Sequence, residues 1–118
     1  MNSVLIIDDD MDFCYLMTSM LSSSILRVSS AHTLKEGWEC LEQVMPSLIL
    51  LDNNLPDGFG VDFMKKIRDF DKTIRVIMVS GDATPDIKSK ALREGIHSFF
   101  TKPLRMDIIR EQINSMIP

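Results

Sequence analysis

Apolar residues fall along this chain in two alternating rhythms. Short unbroken runs come first: Val4-Leu5-Ile6-Ile7, Leu48-Ile49-Leu50-Leu51 and Ile74 to Val79, the last interrupted only by Arg75. Runs this short, bounded by polar or turn residues, read as strands buried on both faces. Ile25-Leu26-Arg27-Val28 is a weaker strand with a polar break, as an edge strand shows, and His97-Ser98-Phe99-Phe100 is a short last one. Between them the spacing turns helical. Phe13, Leu16, Met17, Met20 and Leu21 form one stripe, ended by Ser22-Ser23-Ser24. Leu34, Trp38, Leu41 and Met45 form a second, opened by Thr33 and Glu36 as a capping box and stopped by Pro46. Val61, Met64 and Ile67 mark a third helix, closed by the charged turn from Asp69 to Lys72. Thr84-Pro85 starts a fourth, with Pro at its first position; Ile87 and Ala91 face inward and Gly95 ends it. Met106, Ile109, Ile113 and Met116 give the last stripe, running almost to Pro118.

Five strands alternating with five helices on short connections predict an α/β domain, with parallel strands, right-handed crossovers and helices on both faces. In open sheets of this kind ligands bind outside the carboxyl ends of the strands, at the switch point in strand order. The chemistry-bearing residues gather at that edge. The first strand runs into Asp8 and Asp9, the third into Asp52, the fourth into Ser80, and Lys102 follows the fifth. Nothing comparable stands at the strand entries. Asp52 is expected on a rigid element, open to solvent on one side, with Gly58 and Gly60 loosening the exit from its strand.

Composition narrows the partners. The 118 residues suit one domain with a real core, and 45% hydrophobic with 25% charged residues is an ordinary globular balance. A net charge of -4 argues against broad nucleic-acid binding. The start of the chain lacks a basic signal-peptide region, and no apolar run is long enough to span a bilayer, so no membrane partner and a cytoplasmic location are expected. Cys14 and Cys40 stand alone, without CxxC spacing or a nearby His in sequence, and are expected as reduced, half-buried helix residues.

Two carboxylates about 4 Å apart repel by about 4 kcal/mol at an effective dielectric near 20, so bringing Asp8, Asp9 and Asp52 together calls for cations. A divalent ion and Lys102 together balance the three negative charges. Oxygen-only ligands with room for water suit Mg²⁺, with Mn²⁺ as a substitute, and no Cys/His set for zinc is present. Such a site is arranged for an incoming phosphoryl group: the metal and lysine hold its oxygens, Ser80 donates a hydrogen bond and the Asp52 carboxylate attacks phosphorus.

With these five positions in this order and strand context, the chain resembles the response-regulator receiver domains of bacterial two-component signalling over essentially its whole length. The resemblance implies a flavodoxin-like, doubly wound parallel sheet in the order 2-1-3-4-5 and a single receiver domain over residues 1–118. It implies that Asp52 accepts phosphate from a sensor histidine kinase or phosphotransfer protein. Asp9, Asp52 and the backbone carbonyl of Asn54 would bind Mg²⁺ directly, with Asp8 assisting partly through water. Lys102, before a Pro103 usually joined by a cis bond, would pair with the phosphoryl group. Ser80 would be the switch hydroxyl and Phe99 its aromatic partner, while Asn54 and Asp82 would set the lifetime of the phosphorylated state. Such a domain is a signalling module rather than an enzyme, although it promotes its own phosphoryl transfer and aspartyl-phosphate hydrolysis. Phosphorylation would shift an equilibrium between two packings and change the face of the fourth helix, fifth strand and fifth helix, where a target, an output domain or a second copy would dock. Nothing after the fifth helix supplies an output domain, which fits a stand-alone regulator or a receiver cut from a longer one.

The departures from the family pattern are small. Ser80 stands where Thr is also common, and Phe99 where Tyr is frequent, which removes a ring hydroxyl. Ile96 replaces a usual Ala; it is either exposed near Ile108 as part of an apolar contact surface or folded back on the core. Three rival readings remain. A haloacid-dehalogenase-type phosphatase is mimicked by Asp8-x-Asp10, Ser80 and Lys102, but its Gly-Asp pair (Gly81, Asp82) precedes the lysine, Asp12 stands where Thr is usual, and Asp52 goes unexplained. Asp8-x-Asp10-x-Asp12 begins like an EF-hand loop, which then fails at Phe13 and Ser19. A receiver-like binding module that never turns over phosphate would normally have lost one of the five key residues, and none is lost.

Overall fold

A computed structural model describes residues 2–23 and 26–116. Among the described residues, seven strands and five helices succeed one another in chain order: β1 (Asn2–Ile7), α1 (Met11–Leu21), β2 (Leu26–Ala31), α2 (Leu34–Val44), β3 (Leu48–Leu51), β4 (Asn54–Leu55), β5 (Gly58–Phe59), α3 (Gly60–Phe70), β6 (Arg75–Ser80), α4 (Pro85–Arg93), β7 (Ser98–Thr101) and α5 (Met106–Met116). The five long strands form one parallel sheet in the order β2-β1-β3-β6-β7, the expected 2-1-3-4-5 arrangement. Ser24 and Ile25, placed by the sequence at the end of the serine cluster and the start of the second strand, lie outside the described residues.

Alternation along each central strand builds two cores. Val4, Ile6, Leu48, Leu50, Ile77 and Val79 face one side of the sheet, where Phe13, Met17 and Leu21 of α1 and Ile109 and Ile113 of α5 cover them. Leu5, Ile7, Ile49, Leu51, Val76 and Met78 face the other, under Leu41 of α2, Val61, Met64 and Ile67 of α3 and Ala91 of α4. Burial on both faces is why these strands are apolar throughout rather than alternating. The strands therefore end rigidly, and the first residues beyond each strand end are held in place.

Three helix starts are fixed by the side chain of the N-cap residue. Asp10 accepts from the Phe13 N–H, Thr33 from the Glu36 N–H and Thr84 from the Ile87 N–H. Pro85 opens α4 as expected. Two expected stripe residues face water instead. Leu16 is 55% exposed, because the buried face of α1 is Phe13, Cys14, Met17 and Leu21. Met45 is 59% exposed, because it caps α2 in the left-handed conformation (φ 48) and leaves the helical face before its side chain can turn inward. Ile96 is 7% exposed and packs into the α2–α3–α4 core, so it belongs to no contact surface with Ile108. The last strand begins at Ser98 rather than His97, whose N–H nonetheless reaches the Val76 carbonyl.

The exit from β3 is tighter than the glycines suggest. Asn54–Leu55 and Gly58–Phe59 pair antiparallel in a small hairpin where the sequence pattern predicts only loop. Asp57 at its tip accepts from the Leu34 and Lys35 N–H groups, adding a tertiary cap to the start of α2. Gly60 is obligatory for close approach rather than freedom: a Cβ there would collide with the Asp52 carbonyl oxygen and crowd Leu51. Its N–H donates to the Asn53 carbonyl (2.8 Å), and the Asn53 side chain caps Val61 (2.9 Å).

Candidate functional site

Four strand ends deliver the site. Asp8 and Asp9 follow β1, Asp52 follows β3, Ser80 closes β6, and Lys102 comes directly after β7. Carboxylate oxygens of Asp8, Asp9 and Asp52 lie within 4.8 Å of one another, an arrangement able to hold a metal ion. Backbone bonds brace the neighbouring strand ends: the Asp52 N–H donates to the Ile7 carbonyl (2.9 Å) and the Lys102 N–H to the Ser80 carbonyl (2.9 Å).

Asp8 is the most tightly held of the three acids. It is 1% exposed. Its Oδ1 accepts from the Asp10 N–H (2.9 Å) and its Oδ2 from Lys102 Nζ (2.8 Å). Asp9 is exposed. Asp52 is 6% exposed, more enclosed than its place at a strand exit suggests, because α3 starts directly against it at Gly60. The Asn54 N–H donates to its Oδ1 (3.3 Å). Burial, then the charge of Asp8, push the Asp52 carboxyl up from 3.8 to about 6, against the opposing pull of Lys102 and the Asn54 N–H.

Lys102 is held above its ordinary range. Burial pulls it down, but the hydrogen bond and charge of Asp8, with the charges of Asp52 and Asp10, outweigh that. Its ammonium also stands 4.0 Å from Asp10 Oδ2 and 4.7 Å from the centre of the Phe13 ring. The peptide to Pro103 is cis, as the resemblance implies. Ser80 is fully buried, and its Oγ accepts from the Asp82 N–H (3.2 Å). Phe99 is half-buried against the α2–α3–α4 core, with Lys88 Nζ 5.8 Å from its ring centre. Asn54 and Asp82 are exposed at the rim of the site.

Asp8, Asp9, Asp52, Asn54, Ser80, Asp82 and Lys102 thus sit at or beside one edge of the sheet, while Phe99 lies within β7. Sequence reasoning missed several that hold them there. Asp10 both caps α1 and approaches Lys102; its place just before an apolar periodic stretch was the available signal. Cys14 is buried rather than half-buried, and it has a histidine neighbour after all: Sγ lies 4.0 Å from His32 Nδ1 across 18 residues of sequence. No local pattern announces that contact. Among the described residues no helix is long and apolar enough to cross a membrane.

A doubly wound parallel sheet with clustered carboxylates, a buried hydroxyl and a lysine at its carboxyl edge places the chain in the class of doubly wound α/β domains whose site lies outside the carboxyl ends of the strands. The chain belongs to the response regulator receiver domain family of two-component systems, whose family model matches residues 4–114. It is 33% identical over 109 residues to the response regulator protein PilR of Pseudomonas aeruginosa, covering 92% of this chain and 24% of that protein. The sporulation initiation phosphotransferase F of Bacillus subtilis is 24% identical over 115 residues, covering 98% of this chain and 93% of that one. Among solved structures, the signal receiver domain of a DNA-binding response regulator from Colwellia psychrerythraea superposes with a TM-score of 0.90 at 26% identity, covering 98% of each chain. Phosphorylation on aspartate is the known role of this family. Membership also removes the haloacid-dehalogenase reading, which left Asp52 without a task.

Proposed function

We propose that Asp52 is the phosphoacceptor of this receiver domain and that Asp8, Asp9, Ser80 and Lys102 serve its phosphorylation. The observation that carries this is the convergence of three carboxylates within 4.8 Å, with Lys102 Nζ 2.8 Å from one of them, at the carboxyl edge of the sheet. The donor set is oxygen only, and three carboxylates crowded this closely are relieved of like-charge repulsion by a divalent cation, so the residues fit Mg²⁺, or Mn²⁺ in its place. Asp9, Asp52 and the Asn54 carbonyl would hold the ion. Asp8, whose carboxylate oxygens are each engaged by a donor, would assist through water. A bound Mg²⁺ supplies positive charge to the transferring phosphoryl oxygens.

The Asp52 carboxylate attacks the phosphorus of a phosphohistidine on a kinase or phosphotransfer protein; the new O–P bond forms as the P–N bond breaks, and the imidazole leaves. Lys102 then exchanges its bond to Asp8 for the phosphoryl group. Ser80 leaves the Asp82 N–H to donate to a phosphoryl oxygen, and Phe99 turns into the space vacated. The altered face of α4, β7 and α5 meets the target, an output domain or a second copy of the chain. Asn54 and Asp82, at the rim, govern water access to the aspartyl phosphate and hence the hydrolysis the domain promotes on itself. Residues 1–118 act in this reading as one receiver unit, working in the cytoplasm.

Beryllofluoride with Mg²⁺ tests the switch. Amide NMR shifts should spread from the site to α4, β7 and α5 in the wild-type protein and vanish in Asp52→Ala. The same shifts in that variant would remove Asp52 from the role.

A further inference from the structure

Every polar atom of Asp8 has a partner. Its N–H donates to the Ala31 carbonyl (3.0 Å), and its two carboxylate oxygens take the Asp10 N–H and the Lys102 ammonium. That leaves its carbonyl oxygen, on a residue almost wholly out of water. Two side chains converge on it: His32 Nδ1 at 3.0 Å and Cys14 Sγ at 3.3 Å. A carbonyl only accepts, so Nδ1 carries the ring proton, and this bond sets the tautomer of His32. Cys14 also keeps its proton, because burial and then the charges of Asp8 and Asp10 push the thiol up to about 12. The two donors occupy both lone pairs of the oxygen, the imidazole at the shorter distance and the thiol as the weaker donor.

The two ends of the grip come from adjacent residues. Ala31, the last residue of β2, takes the Asp8 N–H, and His32, the next residue, donates to the Asp8 carbonyl. The peptide joining Asp8 to Asp9 cannot turn without breaking the second bond. Both of those residues offer carboxylates to the three-acid cluster, and Asp9 is the exposed one, tied down least by its surroundings. We propose that His32 is a positioning residue of the cation site: its Nδ1–H bond to the Asp8 carbonyl fixes the Asp8–Asp9 peptide and so the direction in which both carboxylates face the ion. Partners that orient ligands in this way are worth roughly ten- to a hundredfold in metal affinity. This role rests on the reading of Asp8, Asp9 and Asp52 as a divalent-cation site.

Mn²⁺ binding to the full chain, followed by the electron paramagnetic resonance of the free ion, tests it with three proteins. His32→Ala should weaken binding about tenfold, while His32→Asn, whose amide N–H reaches the place of Nδ1, should stay within about threefold of wild type. Binding by His32→Ala within about twofold of wild type, or equal losses in both variants, would overturn the assignment. Nitrogen NMR of the wild-type imidazole provides a check that needs no variant to fold: the Nδ1–H tautomer is expected, and a dominant Nε2–H tautomer refutes the bond. Wild-type protein that bound no Mn²⁺ at all would instead overturn the cation site itself, and this role with it.

Discussion

Burial and the nearby charge of Asp8 lift the Asp52 carboxyl from 3.8 to about 6, and both consequences of that can be measured. In the metal-free protein the folded state holds this proton more tightly than the unfolded chain does. Stability from this group is therefore full below the ordinary carboxylate range and is lost as pH rises toward about 6, by about 3 kcal/mol at most at 1.36 kcal/mol per unit. Asp52→Asn removes the penalty, so thermal melting without metal should show the variant more stable than wild type at pH 7 and much closer to it at pH 4. A variant less stable than wild type at neutral pH would contradict the electrostatic picture. Lys102→Ala acts in the opposite sense: it leaves Asp8 buried without its cation, at a cost of about 3 kcal/mol or more, as is usual when a buried pair is broken. It should also abolish the beryllofluoride-driven shifts at α4, β7 and α5 while disturbing Mg²⁺ binding less. Equal loss of both, or of neither, would show the lysine's task to be different.

At the level of elements, the central strands β1, β3 and β6 are legible because a strand buried on both faces has few polar positions to blur it, and the acids that follow β1 and β3 stand out against those runs. β2, only partly buried, runs past Val28 through Ser29 and Ser30 to Ala31, where the polar residues hide it. The strand order came from the resemblance, since alternation alone implies parallel strands without ordering them. Met45 and Leu16 misled for a different reason. Apolar periodicity records which residues could be buried, and it is blind to a left-handed cap or to the width of the face that α1 turns to the sheet. The hairpin after β3 was hidden because two-residue strands carry no periodicity. His32 and Asp57 were hidden because their partners are distant in sequence. Gly60 is the element-scale test of how firmly the scaffold places the nucleophile. Gly60→Ala must push the start of α3 away from the Asp52 carbonyl, at about 1–3 kcal/mol in chemical denaturation, and should slow phosphorylation by acetyl phosphate. Unchanged stability and rate would mean that α3 is not braced against Asp52.

Across the whole molecule the site and the remaining faces of the sheet are clearly separated. Trp38 lies on α2, edge-on to Phe63 (ring centres 6.2 Å apart) and Phe70 (5.5 Å), with Lys66 Nζ 4.1 Å from its ring centre. None of these contacts belongs to the acidic cluster, so Mg²⁺ should leave tryptophan fluorescence nearly unchanged; strong quenching would contradict the layout. Two ion pairs, Lys90 with Asp62 (2.7 Å) and Arg68 with Glu94 (2.8 Å), tie α4 to α3 in this resting arrangement. Any rearrangement that carries the switch to the α4 surface must work against or around them. The account as a whole turns on one covalent event at one carboxylate. Incubation with acetyl phosphate and Mg²⁺, read by intact mass, should add a single phosphoryl group to the wild-type protein and none to Asp52→Ala. A phosphoryl group of equal yield on Asp52→Ala would contradict the central claim.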